Sequence, residues 1–136
     1  MRATISLLVL SCGRIKLLND TLSSLFKSVP EEVFKERLIL DCRNSVHPFG
    51  FRVIPACPLS DRESNIMCNV NRLYTSTTAT HVLFTEDDWH FYSSALKTDL
   101  FILIDILQRE HTASTIQLTG LNTPLRYNRS KGLKTD

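Results

Sequence analysis

An α/β fold, with a mostly parallel sheet and helices on both faces, is what this 136-residue sequence predicts. Three observations lead there. Short apolar runs recur without polar interruption, the pattern of strands covered on both faces. Between them stand segments whose apolar residues fall at three- and four-residue steps, the pattern of amphipathic helices. The two kinds alternate, and such alternation is joined by right-handed crossovers into a parallel sheet.

Each element can be justified in order. TISLLVLS (4–11) is a continuous apolar run and the first strand. The next segment, IKLLNDTLSSLFKSV, carries Ile15, Leu18, Leu22, Leu25, Phe26 and Val29 on one helical face. Pro30 can open a short second helical turn over PEEVFKE, because a first-turn proline loses no needed N–H. RLILD (37–41) is the second strand, and CRNSVHPFG is a loop punctuated by Pro48 and Gly50. FRVIPA (51–56) is a third strand, placed near an edge by Pro55. Ser60 and Glu63 form a capping-box pattern. The helix they open runs to about Thr78, with Ile66, Val70, Leu73, Tyr74 and Thr77 on one face. HVLFT (81–85) is the fourth strand. Ser93 or Ser94 caps another helix, in which Leu96, Leu100, Leu103, Ile104 and Leu107 face inward. STIQLT (114–119) is a fifth strand, stopped by Gly120. Residues 1–120 thus read as one α/β domain and 121–136 as a basic tail.

The bulk composition narrows the function classes. An apolar fraction of 43% and a charged fraction of 22% are those of an ordinary globular domain. A net charge of +2 makes no electrostatic case for nucleic acid or an acidic membrane surface. No segment approaches the roughly 20 apolar residues of a membrane span; the longest, LFILIDIL, is interrupted by Asp105. MRATISLLVLSCG reads as a strand rather than a leader, since Ile5 to Leu10 is shorter than the usual apolar core of about 7–15 residues. The four cysteines, Cys12, Cys42, Cys57 and Cys68, make no C-x-x-C pair. They read as buried reduced thiols of a cytoplasmic protein.

The chemistry concentrates at Glu86, Asp87 and Asp88, which follow the fourth strand directly. Ligands of open parallel sheets bind outside the carboxyl ends of the strands. Carboxylates crowded on one turn repel unless a positive charge lies among them. A hard cation, Mn²⁺ or Mg²⁺, suits such acids; it takes one or two protein carboxylates and completes its shell with phosphate oxygens and water. The competing reading makes Asp87 and Asp88 an acidic start to the following helix, where they complement its dipole. The chain has no G-x-x-x-x-G-K-[ST] and no G-x-G-x-x-G; Gly13 stands alone after the first strand. A receiver-type phosphoacceptor domain would need acids after that strand, which instead ends Ser11-Cys12-Gly13-Arg14.

The order of SLLVLSCGR, an amphipathic helix, LILDCRNS, and a helix leading into NVNRLYTSTTATHVLFTEDDW resembles the nucleotide-sugar glycosyltransferases of the GT-A fold. The likeness is to family-2-like members and N-acetylglucosaminyltransferases with a Glu-Asp-Asp triplet, and it runs from about Thr4 to Gly120. It implies a Rossmann-like nucleotide-sugar-binding half, and site roles as follows. Asp88 would hold the metal that bridges the donor's two phosphates. Asp87 would face the ribose or donor sugar, with Glu86 in support. Asp41 would read the nucleobase, and Ser11, Cys12 and Arg14 would wrap it. Asn71 matches a polar position near the nucleotide, and Arg62 could reach the same place. Trp89 would shape the sugar pocket. Plainer readings stand beside these: Asp41 as a turn acid, Arg14 as a solvated helix-covering residue, Asn71 as a surface residue and Trp89 as core.

The resemblance implies transfer of a sugar from a UDP- or GDP-linked donor to an acceptor hydroxyl, on a glycan or a protein. Its general base would come from a second half, after the fifth strand. Here only LNTPLRYNRSKGLKTD follows Gly120, with a single acid, Asp136. No base can be named from it. The tail is then an interface, a linker, a solvated disordered end or the start of a missing acceptor region, with another domain or subunit supplying the acceptor side. A nucleotide-sugar-binding module without turnover is the alternative function.

Overall fold

The computed structural model describes residues 2–45, 48–58, 66–91 and 96–110. The expected capping box at Ser60 and Glu63, Arg62, the caps at Ser93 and Ser94, the strand at 114–119 and the tail lie outside the described residues. The elements are β1 (Ile5–Ser11), α1 (Ile15–Ser28), a 3₁₀ turn (Glu31–Val33), β2 (Glu36–Asp41), β3 (Arg52–Val53), α2 (Ile66–Ser76), β4 (His81–Glu86) and α3 (Leu96–Arg109). The chain divides into two compact units, Met1–Phe91 and Tyr92–Asp136.

The first unit is built on a four-stranded sheet in the order β3-β2-β1-β4, with every pairing parallel. The architecture is α/β and Rossmann-like, as the alternation of apolar runs and amphipathic helices predicts. β1 is central and all seven of its residues are buried. It pairs Ser11 with Asp41 on β2 and Leu10 with Glu86 on β4.

Side chains alternate across a strand, so this register sorts them into two layers. Leu8, Leu10, Leu38, Leu40 and Ile54 form one core with Leu73 of α2, and Val70, Val82, Phe84 and Cys42 pack against it. Leu7, Val9, Ile39 and Leu83 point to the other face and are also buried. α1 serves that side: its Leu18, Leu22 and Leu25 are buried, and its Thr21 and Ser24 bond the segment that follows β4. Helices therefore cover both faces.

Three expectations are corrected in detail. The third strand is two residues long rather than six. Ile54 still donates to Ile39 O, at 2.8 Å, but Pro55 has no N–H. Beyond it the amides turn to side chains: Ala56 N to Asn44 Oδ1 at 3.1 Å, and Cys57 N to Asn69 Oδ1 at 2.8 Å. On α2 the buried stripe is Asn69 and Leu73, while Ile66 and Tyr74 are exposed, Tyr74 stacking on Phe84. The cysteines are not all reduced thiols. Cys57 and Cys68 form a disulfide that ties the segment after β3 to the first turn of α2. Cys42 is half-buried and Cys12 is exposed. In the second unit, α3 buries Leu100 and Ile104 as its periodicity predicts.

Candidate functional site

The chain runs from β1 outward through β2 to β3, then returns to place β4 on the other side of β1. The direction of winding reverses between β1 and β4. In open parallel sheets ligands bind outside the carboxyl ends of the strands, at such a reversal. The two loops here are Ser11-Cys12-Gly13-Arg14 and Glu86-Asp87-Asp88-Trp89.

The acids at this end of the sheet divide by burial. Asp87 is only 1% exposed. Its Oδ2 accepts hydrogen bonds from Cys12 N at 3.0 Å, Arg14 Nε at 3.2 Å and Ser11 Oγ at 3.4 Å, and its Oδ1 accepts from Arg14 Nη2 at 2.5 Å. The carboxylate thus clamps the whole first loop. That hydrogen bond, and then the charge of Asp87, raise the Arg14 pKa further. The backbone behind the acid is fixed as well. The Thr21 hydroxyl of α1 lies 2.8 Å from Asp87 O and 2.5 Å from Trp89 O, and Phe91 N donates to Ser24 Oγ at 3.1 Å.

Asp41, also 1% exposed, plays the same part on the β2 side. Its Oδ1 accepts from Gly13 N at 2.6 Å; its Oδ2 accepts from Ser45 N and Ser45 Oγ at 2.7 and 2.8 Å. Burial pushes its pKa up, but the hydrogen bonds from Ser45, Arg43 and Gly13 outweigh that and hold it below the ordinary value. Gly13 is needed at this point. Its φ is +75°, and a Cβ there would sit 2.8 Å from Arg43 Cδ.

Asp88 is the acid that remains available. Its side chain is 48% exposed, and Arg14 Nη2 is 3.8 Å away. Glu86 is half-buried and accepts the Trp89 indole N–H at 3.2 Å. The indole meets Phe84 edge to face at a centroid distance of 6.2 Å and is still 42% exposed. Trp89 therefore stands against the core with part of its ring exposed.

The structure brings Ser11, Cys12, Arg14, Asp41, Glu86, Asp87, Asp88 and Trp89 to one end of the sheet. It does not bring Asn71, which lies on the exposed face of α2; the buried amide of that helix is Asn69. The expected contacts of Asp41 with a nucleobase and of Asp87 with a sugar meet a geometric limit, because both carboxylates are buried and already hold the loops. Sequence reasoning missed Thr21, Ser24, Ser45 and Asn69. For Thr21 and Asn69 a signal existed: each is a polar residue inside an apolar helical stripe, beside Leu18 and Leu22 or Leu73.

Among the described residues no three His, Cys, Asp or Glu side chains converge to hold a metal ion. A closed protein cage is therefore absent among them. One exposed carboxylate beside a cation fits the other arrangement, in which diphosphate oxygens and water complete the shell of Mn²⁺ or Mg²⁺. Among the described residues no helix is long and apolar enough to cross a membrane. Compared with protein-family models, curated proteins and solved structures, the chain matches none.

Proposed function

We propose that the chain is the nucleotide-sugar-binding half of a metal-dependent glycosyltransferase, taking a UDP- or GDP-linked donor. One observation supports the reading: strand order reverses between β1 and β4, and at the carboxyl ends there Asp88 keeps a half-exposed carboxylate beside Arg14. Asp88 would hold Mn²⁺ or Mg²⁺ together with the donor's diphosphate. The bound ion would neutralise charge developing on the diphosphate leaving group. Arg14 offers a second positive charge to the same phosphates. Asp87 and Asp41 are positioning residues, fixing the β1 loop whose Cys12 and Arg14 face the nucleotide. Trp89 presents an aromatic face for the sugar.

A second reading, binding without turnover, is favoured by a specific feature of the acids. Asp41 and Asp87 are saturated by loop donors, Glu86 holds Trp89, and Asp88 is assigned to the ion. None of the four is left as a general base for an acceptor hydroxyl. A base and an acceptor site would then come from another domain or subunit, with a glycan or protein as acceptor.

A panel of UDP- and GDP-sugars incubated with the protein and Mn²⁺ separates the two readings. Release of free sugar above the rate of a D88A variant supports the transferase. Nucleotide binding with no release from any donor supports the binder. The Cys57–Cys68 disulfide favours an oxidising compartment over the cytoplasm that reduced thiols would imply.

A further inference from the structure

Cys12 and Cys42 follow the last matched pair of β1 and β2, Ser11 opposite Asp41. Cys42 N still donates to Ser11 O at 2.9 Å, so the two chains remain side by side at this point. Neighbouring parallel strands run about 4.8 Å apart, inside the Cα separation of about 4.4–6.8 Å that a disulfide spans. Alternation carried one residue past each strand would send both side chains to the α2 face. Cys42 packs on the Leu8, Leu10, Leu38 and Leu40 core, and Cys12 lies two residues beyond Leu10. Burial first, and then the neighbouring Cys12 thiol, raise the Cys42 pKa.

The surroundings give the pair unequal access. Cys12 is exposed, whereas Cys42 is half-buried and its Sγ takes a contact of 3.6 Å from Asn69 Nδ2. Asn69 is held in turn by Cys57 N at 2.8 Å, and Cys57 is already oxidised with Cys68. One cysteine pair is therefore closed, and a second, with strand spacing that suits closure, is open.

We propose that Cys12 and Cys42 are a thiol–disulfide modification site at the carboxyl ends of β1 and β2, closed to an intramolecular disulfide by a small-molecule disulfide such as glutathione disulfide. The thiolate of Cys12 attacks one sulfur of glutathione disulfide, forming a mixed disulfide and releasing one glutathione. Cys42, having lost its proton to solvent, attacks Cys12 Sγ and expels the second glutathione. Both protein thiols are oxidised and one glutathione disulfide is reduced to two glutathiones, so electrons and protons balance. The product cross-links the ends of β1 and β2 beside the amides that hold Asp87 and Asp41. The site stands whether or not this end of the sheet takes a nucleotide.

The test uses the full chain purified without reductant, exposed to glutathione disulfide, quenched by alkylation and mapped by non-reducing digestion. We expect a Cys12–Cys42 cross-linked peptide and release of both glutathiones. The C42S variant should stop at a glutathione adduct on Cys12, and C12S should leave Cys42 free to alkylate. A wild-type product that stays as the Cys12 adduct, or in which Cys42 joins Cys57 or Cys68, overturns the proposal. Phenylarsine oxide, which bridges two adjacent thiols, gives a second readout on the untreated protein. An adduct lost in either serine variant is expected; none on the wild type contradicts the pairing.

Discussion

Asp87 and Asp88 are neighbours in sequence with opposite duties. The first is buried under donors from the β1 loop, and the second faces solvent. Replacing Asp87 with alanine strands the Cys12 amide and the Arg14 guanidinium, and should lower stability by about 1–3 kcal/mol in urea unfolding. Asp88→Ala, at an exposed position, should stay within about 0.5 kcal/mol of wild type. Equal losses would show that the two acids are not divided in this way. The triplet and the first loop were legible in the sequence because acids after an apolar run are a local pattern. Which acid is buried was not legible. That depends on Cys12 and Arg14, more than 70 residues away in the chain. Ser45 was hidden for a different reason: a serine in a polar loop carries no mark until Asp41 is seen to turn back on it.

Among the elements, β2 is fastened at both ends by a carboxylate. Glu36, at its start, accepts from Ser6 of β1 and from Thr77 and Thr78 in the α2–β4 connection. Burial raises its pKa, but the Thr77, Thr78 and Ser6 hydrogen bonds and the charge of Arg52 outweigh that and lower it. A carboxyl whose folded pKa lies below its unfolded value stabilises above the unfolded value and loses that contribution as pH falls through the folded one. Melting temperature should therefore decline as pH falls below about 4.5, and the decline should be shallower in Glu36→Gln. An identical acid limb in the variant would remove Glu36 from the explanation. The disulfide is checked by thiol titration of the denatured, unreduced chain: we expect two reactive cysteines, whereas four would restore the all-reduced reading. Strand and helix identity were legible here because the apolar period is intrinsic to each segment. The length of β3 was not, since its end is set by Asn44 and Asn69 capturing its amides. Nor was the disulfide, because Cys57 and Cys68 show no diagnostic spacing.

At the scale of the molecule, the functional reading depends on strand order. Alternating strands and helices predict a parallel sheet, but they do not say on which side of β1 the fourth strand joins. Only the order β3-β2-β1-β4 brings the loop at Ser11–Arg14 against the acids at Glu86–Asp88. On the proposed reading, that juxtaposition puts the exposed Asp88 carboxylate where a cation would be shared with a diphosphate. The most direct measurement is thermal melting with UDP or GDP, with Mn²⁺ or Mg²⁺ present or chelated by EDTA, on wild type and Asp88→Ala. Ligand at about a hundredfold over its dissociation constant stabilises by about 2.7 kcal/mol, a shift of several degrees. We expect that shift only in wild type with metal. A shift of equal size in EDTA, one retained by Asp88→Ala, or none under any condition would contradict a metal–diphosphate site at this end of the sheet.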